Sequence, residues 1–352
     1  MSARFLIYGA NGYTGELAAR EARAHGLSPV LAGRNEGAVA ALARELGLEQ
    51  AVFGLDEAAA IDAAISGFAA VLHCAGPFSR TSGPMADACL RTRVHYLDVT
   101  GEVEVFERLA ARDAEAKAAG VMLLPGVGFD VVPSDCLAAH LKRRLPTATH
   151  LALAFLSRGG VSRGTATTAA VNIHRGGLVR RAGALTPVPT AWKTRTVDFG
   201  DGYVRTAVTI PWGDIATAWR STAIPDIEVY MAVPKSARAG MRVARYARPL
   251  LALGPLRGLL RRLVRSRSAG PDAETRARGW TRLWGEATAP DGARAVSRLL
   301  GPEGYTLTVQ AALACVEHVL RGEAPAGYQT PATAYGPDLV LEVPGVTRED
   351  VV

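Results

Sequence analysis

Seven residues near the amino terminus, Gly9-Ala10-Asn11-Gly12-Tyr13-Thr14-Gly15, carry the glycine spacing of a phosphate-binding turn. They follow a short apolar run, Phe5-Leu6-Ile7-Tyr8, and open a helical pattern. In that setting each glycine has a task. Gly9 permits a tight turn out of a strand, Gly12 lets the backbone approach a pyrophosphate, and Gly15 lets the helix pack closely on the sheet. The helix N-terminus adds free N–H groups and a partial positive charge. Asn11, Tyr13 and Thr14 fill the positions between the glycines, and Asn11 and Thr14 can add side-chain hydrogen bonds. The motif predicts a dinucleotide site; the alternative is a glycine turn used only for packing.

The end of the next apolar run selects the dinucleotide. An acidic residue there would grip a ribose 2′-hydroxyl and repel a 2′-phosphate. The chain has Ala32-Gly33-Arg34-Asn35 instead. Arg34 can pair with a phosphate and stack on adenine, and Asn35 can donate to the same phosphate. These residues predict NADP(H). Asp56 either approaches the adenine or caps a helix. Cys74-Ala75-Gly76-Pro77 supplies small residues over which the nicotinamide ribose could pass, with Pro77 fixing the turn. Cys74 is expected to be a buried filler.

Hydride transfer also needs a group that moves a proton. Gly126 and Gly128 are expected to let the backbone approach the nicotinamide ring. Asp130 either orients substrate and relays a proton, or caps the helix that begins near Pro133. His95, Tyr96, Asp98, Thr100 and Glu102 form a polar cluster, with a structural role expected for Asp98 and Glu102. Ser162-Arg163-Gly164-Thr165 opens a predicted helix whose N-terminus, with Arg163 and Thr165, could hold an anionic substrate group; the alternative is an ordinary Ser/Thr cap. Tyr203, Trp212 and Tyr230 either line a pocket or pack in a core. No spacing of metal ligands is evident, so no metal is expected.

These residues require elements to position them. Strand-like runs at Phe5–Tyr8, Val30–Ala32, Ala51–Phe53, Ala70–Leu72, Tyr96–Val99 and Val121–Leu124 alternate with helical stretches at Tyr13–His25, Gly37–Leu46, Glu57–Ile65, Ser82–Arg91 and Val103–Ala119. Such alternation predicts an α/β Rossmann fold, a doubly wound parallel sheet covered on both faces, over residues 1–132. After Pro133 the pattern changes to a helix, Ser134–Arg144, and longer strands at His150–Ser157, Tyr203–Ile210, Asp226–Val233, Trp280–Thr288 and Arg294–Leu300. The last two are expected to form a hairpin. An inserted α+β domain for substrate or dimerisation is therefore predicted over 133–304. A helix at Thr306–Arg321 and an irregular tail are expected to return to the Rossmann domain over 305–352.

The 352 residues are 49% hydrophobic and 21% charged, enough to build full cores. The formal charge is +7 and arises almost wholly from arginine. Coding bias explains that, or a basic surface that attracts a phosphorylated cofactor, an anionic carrier or a membrane face. Residues 237–268 interleave arginines with leucines, so they form either a membrane-surface or lipid-carrier face or a helix packed on its own domain. Four irregularly spaced cysteines suit reduced cytosolic thiols. No signal peptide or membrane-spanning run is evident, and a cytoplasmic protein with peripheral membrane contact as the alternative is expected.

Several segments together resemble one family. They are Gly12-Tyr13-Thr14-Gly15, Ala75-Gly76-Pro77-Phe78, His95-Tyr96-Leu97-Asp98-Val99-Thr100-Gly101-Glu102, Pro125-Gly126-Val127-Gly128-Phe129-Asp130 through Asp135, and Gly327-Tyr328-Gln329-Thr330-Pro331-Ala332. This set is similar to the saccharopine dehydrogenase-like oxidoreductases, near the trans-acting enoyl reductase group. The resemblance implies a Rossmann domain, an inserted domain, a bound nicotinamide cofactor and a homodimer, but not saccharopine as substrate. The short-chain dehydrogenases start with similar glycines but need Tyr-x-x-x-Lys. Here the residues four before the lysines are Asp113, Ala138, Pro189 and Met231, which removes that mechanism. The expected function is NADP(H)-dependent hydride transfer to a C=C or C=N bond of a small or lipid-like metabolite, with no nucleic-acid partner. The alternative is a non-catalytic NADP(H)-binding or membrane-surface scaffold.

Overall fold

The structure is a computed structural model that describes residues 4–160, 162, 176–246 and 270–351. The chain forms two compact units, Met1–Val132 with Tyr305–Val343, and Pro133–Gly304 with Pro344–Val352.

The first unit is built on strands β1 (Phe5–Tyr8), β2 (Val30–Gly33), β3 (Gln50–Val52), β4 (Ala70–His73), β5 (His95–Asp98), β6 (Met122–Leu124) and β15 (Gly327–Tyr328). All pairings are parallel, in the order β15-β6-β5-β4-β1-β2-β3. The first six follow the dinucleotide-fold order, and β15 extends the sheet. Every residue of β1, β2 and β4 is buried, which explains why these strands are continuous apolar runs rather than alternating ones. Helices α1 (Tyr13–Ala24), α2 (Glu36–Leu46), α3 (Ala58–Ile65), α4 (Phe78–Thr92), α5 (Val103–Ala110) and α6 (Asp113–Ala119) connect them. Leu6, Val71 and Tyr96 from the sheet pack with Ile61, Ile65, Met85 and Leu109 from the helices.

Two helices differ from expectation. The stretch 103–119 is split at Arg112, whose guanidinium pairs with both Asp87 and Glu115. α4 starts four residues early, at Phe78, and carries Pro84 in its interior. Its start depends on a distant carboxylate described below.

The second unit holds helix α7 (Val132–Arg144) and strands β7 (His150–Arg158), β8 (Gly177–Arg181), β9 (Ala184–Val188), β10 (Thr194–Asp198), β11 (Val204–Thr209), β12 (Asp226–Ala232), β13 (Trp280–Thr288), β14 (Arg294–Pro302) and β16 (Thr347–Asp350). The sheet order is β10-β11-β12-β7-β13-β14-β16, with the β8–β9 hairpin attached to β12. Within this sheet only β7 and β12 pair in parallel among the described strands. β13 and β14 form the expected hairpin, closed by Ala289 N donating to Ala293 O at 2.9 Å. Helices α8 (Asp214–Thr222), α9 (Lys235–Tyr246) and α10 (Ala273–Ala277) complete the described part. Leu137 and Leu141 of α7 lie so near β13 that a Cβ on Gly285 would meet them at 3.2 and 2.6 Å.

The C-terminal segment is neither irregular nor wholly part of the Rossmann unit. Helix α11 (Gly304–Leu320), β15 and the short helix α12 (Pro331–Tyr335) serve the first unit, but β16 pairs antiparallel with β14. Asp350 anchors that strand by accepting from Ser297 Oγ at 2.7 Å and contacting His140 Nε2 at 2.8 Å.

Candidate functional site

The glycine turn has the geometry its spacing predicts. Gly9 has φ +83°, and a Cβ there would lie 2.8 Å from Ala75 Cβ. Gly9 N and Ala10 N both donate to Ala32 O, at 2.8 and 3.1 Å, fixing the turn to the end of β2. A Cβ on Gly15 would collide with Gly9 O and lie 2.9 Å from Ala10 Cα, so α1 can approach the turn only as glycine. Gly12 is the N-cap of α1 and no side chain caps it. An uncapped helix start over a glycine turn suits a pyrophosphate. Asn11 is exposed and its Oδ1 would lie 3.0 Å from a Cβ on Gly33, over the end of β2. Tyr13 and Tyr305 meet edge to face at 4.9 Å between ring centres.

Arg34 follows β2, is exposed, and makes no hydrogen bond or ion pair among the described residues. Arg34 and Asp56 both act electrostatically on Tyr8: burial raises its phenol pKa most, Arg34 lowers it and Asp56 raises it. Both charges therefore lie within electrostatic reach of the Tyr8 hydroxyl. Asn35 is the N-cap of α2, with Oδ1 accepting from Ala38 N at 3.2 Å. Its oxygen is committed to the helix, which leaves its NH2 as the only group for a phosphate. Asp56 is not a cap, because α3 starts from Glu57 without a side-chain bond.

The loops after β4, β5 and β6 form the other half. Cys74 N donates to Tyr8 O at 2.8 Å, and the Gly76–Pro77 bond is cis. Cys74 is part-buried, and burial pushes its thiol up to about 12, with Asp98 adding to the shift, so it stays protonated and inert. Glu102 caps α4 from another loop: its carboxylate accepts from Phe78 N at 2.9 Å and Ser79 N at 3.1 Å. Asp98 is fully buried. It accepts from Tyr96 Oη at 2.6 Å and from Thr100 N and Gly126 N, both at 2.9 Å. Its carboxyl is raised to about 6 by burial, against the lowering effect of these bonds. Both carboxylates thus hold loops.

The glycines after β6 have a reason within the chain's own packing. A Cβ on Gly126, at φ +79°, would meet Val131 Cγ2 at 2.8 Å and Phe106 Cε1 at 2.9 Å. A Cβ on Gly128 would meet Thr308 Cγ2 at 2.8 Å, beside the Thr308 hydroxyl that accepts from Phe129 N at 3.0 Å. Packing by the chain's own side chains already demands both glycines. Asp130 is part-exposed, is not an N-cap of α7, and has no hydrogen bond among the described residues. Desolvation nevertheless raises its carboxyl to about 6. It lies against Gly101, where a Cβ would sit 2.5 Å from Asp130 Oδ2. In the sequence Gly101 stands only as part of a family-like segment, because contact between two loops leaves no periodic signal.

Arg163 and Thr165 lie outside the described residues, as does 247–268 from the basic segment. Helix α9 covers its start. The three aromatic candidates pack against neighbours: Tyr203 on Trp280, Trp212 on Phe155, and Tyr230 in the cluster with Ala154 and Trp284. No cluster of metal-ligating side chains occurs among the described residues, and no described helix is long and apolar enough to cross a membrane.

Residues 5–124 match the saccharopine dehydrogenase NADP-binding domain. The first unit is therefore similar, over its sheet from β1 to β6, to the NADP-binding domain of saccharopine dehydrogenases. It is 24% identical over 216 residues to the human saccharopine dehydrogenase-like oxidoreductase, covering 56% of this chain and 46% of that one. It is 30% identical over 148 residues to the trans-acting enoyl reductase of Mycobacterium leprae, covering 40% and 35%. The chain thus spans less than half the length of these curated relatives. The apo saccharopine dehydrogenase (L-Glu forming) of Saccharomyces cerevisiae shares its fold, with a TM-score of 0.64 at 11% identity over 99% of this chain and 100% of that one. The domain matched by residues 5–124 is an NADP-binding one, in agreement with the cofactor expected from Arg34.

Proposed function

We propose that the protein is an NADPH-dependent reductase that adds hydride to a C=C or C=N bond of a small or lipid-like metabolite, with Asp130 as proton donor. The observation that carries the reading is the Asp130 carboxyl, raised by burial to about 6 and free of hydrogen bonds among the described residues, in the loop after β6 at the same edge of the parallel sheet as the glycine turn after β1. Bound NADPH supplies the hydride. The uncapped start of α1 holds the pyrophosphate and Arg34 holds the 2′-phosphate. Asp130 gives its carboxyl proton to the substrate atom next to the reduced carbon and regains it from solvent. The shared stretch with proteins named trans-acting enoyl reductase favours C=C.

The test is NADPH oxidation by the purified protein across enoyl, imine and carbonyl substrates, alongside NADPH and NADH titrations. Turnover of an enoyl or imine with tighter NADPH binding is expected. Tight NADPH binding with no turnover on the whole panel would overturn the reductase reading and leave a cofactor-binding scaffold. Tighter NADH binding would overturn the role given to Arg34.

A further inference from the structure

We propose that Asp98 is a positioning residue for Asp130, because it ties together the two loops between which Asp130 is held. The proposal rests on the reductase reading for its functional consequence, but its geometric content stands apart from it. Asp98 grips the loop after β6 twice. Its side chain accepts from Gly126 N at 2.9 Å, and its carbonyl accepts from Val127 N at 2.8 Å. The same carboxylate oxygen that binds Gly126 accepts from Thr100 N at 2.9 Å, in the loop after β5. Gly101 follows directly and forms the wall against Asp130, with hypothetical Cβ distances of 2.5, 3.1 and 3.2 Å to its Oδ2, Cγ and Cβ. One buried oxygen therefore sets the spacing between the wall and the residue that rests on it.

The remaining groups around the pair do not replace this link. Tyr96 Oη fills the second carboxylate oxygen at 2.6 Å and belongs to Asp98's own strand. Glu102 is turned to α4, and Thr308 fixes Phe129 from α11. Neither joins the loop of Thr100 to that of Gly126. Removing the Asp98 carboxylate leaves two buried N–H groups without an acceptor, which two loops relieve by moving apart. Asp130 then loses its wall and gains water.

The test reads Asp130 directly, by carbon-13 spectra of the Asp carboxyl carbons in the whole protein without cofactor, with Asp130→Asn assigning the signal. In the native chain Asp130 is expected to titrate near 6. In Asp98→Ala its midpoint is expected to fall by about one unit or more toward the ordinary carboxylate value. In Asp98→Asn, whose amide oxygen can still accept from both N–H groups, it is expected to stay within about 0.3 units. An unchanged midpoint in folded Asp98→Ala overturns the proposal, and so does an equal fall in both variants. Asp98→Ser, too short to reach both donors, takes the place of Asp98→Ala if that chain does not fold, with the same two outcomes. NADPH titration of the same variants separates the two proposals. A native chain that does not bind NADPH sinks the reductase reading while the carboxyl spectra still decide the link.

Discussion

Gly128 offers a sharp way to tell a packing glycine from a cofactor glycine. Gly128→Ala places a methyl 2.8 Å from Thr308 Cγ2 and 3.3 Å from Thr308 Oγ1. Carbon atoms in contact prefer about 3.5–4.0 Å, so the overlap is near 1 Å and the cost is about 1–3 kcal/mol of overpacking. Thr308→Ser removes the obstructing methyl and keeps the hydroxyl that accepts from Phe129 N at 3.0 Å, at a cost of about 0.5–1 kcal/mol alone. The double variant is expected to recover about 1–2 kcal/mol relative to the sum of the two single ones. Urea unfolding of the four proteins measures that coupling, and NADPH titration of each measures the site. Additive losses would refute the view that Thr308 dictates glycine at 128. Recovered stability with NADPH binding still lost would show instead that the cofactor demands the glycine.

Three further outcomes are expected. Arg34→Ala should weaken NADPH binding by roughly 10–100-fold, the value of a charge-assisted contact to the 2′-phosphate, with NADH changed less than about threefold; equal losses would refute the phosphate role. If Asp130 is the proton donor, the native rate should fall about tenfold per pH unit above the carboxyl value of about 6, and Asp130→Asn should lower turnover by roughly 100-fold or more and remove that limb while NADPH affinity holds. His73 is fully buried among Tyr8, Phe78 and Tyr96, both ring nitrogens lack a partner among the described residues, and burial lowers its pKa to about 3. A depressed folded pKa means its contribution is held above the unfolded value of about 6.5 and lost as pH falls toward 3, by about 2 kcal/mol at pH 5. His73→Phe should therefore raise the melting temperature, more at pH 5 than at pH 7; a lower melting temperature at both would refute this.

The sheet of the first unit was legible because its strands are buried on both faces and their sequences are unbroken apolar runs. β15 was not, because two residues, Gly327 and Tyr328, carry no periodicity and are placed by Asp113 Oδ1 accepting from Tyr328 N at 3.0 Å. The start of α4 was hidden for a similar reason. The sequence pattern placed the start at Ser82, while α4 begins at Phe78, where Glu102 of another loop accepts from its first N–H groups. In the second unit, β9 contains Pro187 and shows no buried alternation, and β10 is mostly polar, so neither read as a strand. The split fate of the tail depends on Asp350 finding Ser297 and His140, partners visible only after folding.

The cofactor side of the site was readable in residue types, since glycine spacing and a basic residue after β2 are local signals. The opposite side was not. Asp130 was a candidate, but its burial and its close approach to Gly101, a residue of another loop, are visible only in the fold. Asn35 shows a role the sequence reading did not assign: its oxygen caps α2, while its NH2 stays available for the phosphate. Gly126 and Gly128 were read as cofactor glycines, and their crowding by Phe106, Val131 and Thr308 was not visible in the sequence.

The most direct test is a crystal structure of the protein with NADPH bound. The expected result is Arg34 on the 2′-phosphate and the Asp130 carboxyl facing the side of the nicotinamide C4 where substrate would enter. A nicotinamide ring seated away from Asp130, with another side chain at C4, would contradict the proposed function.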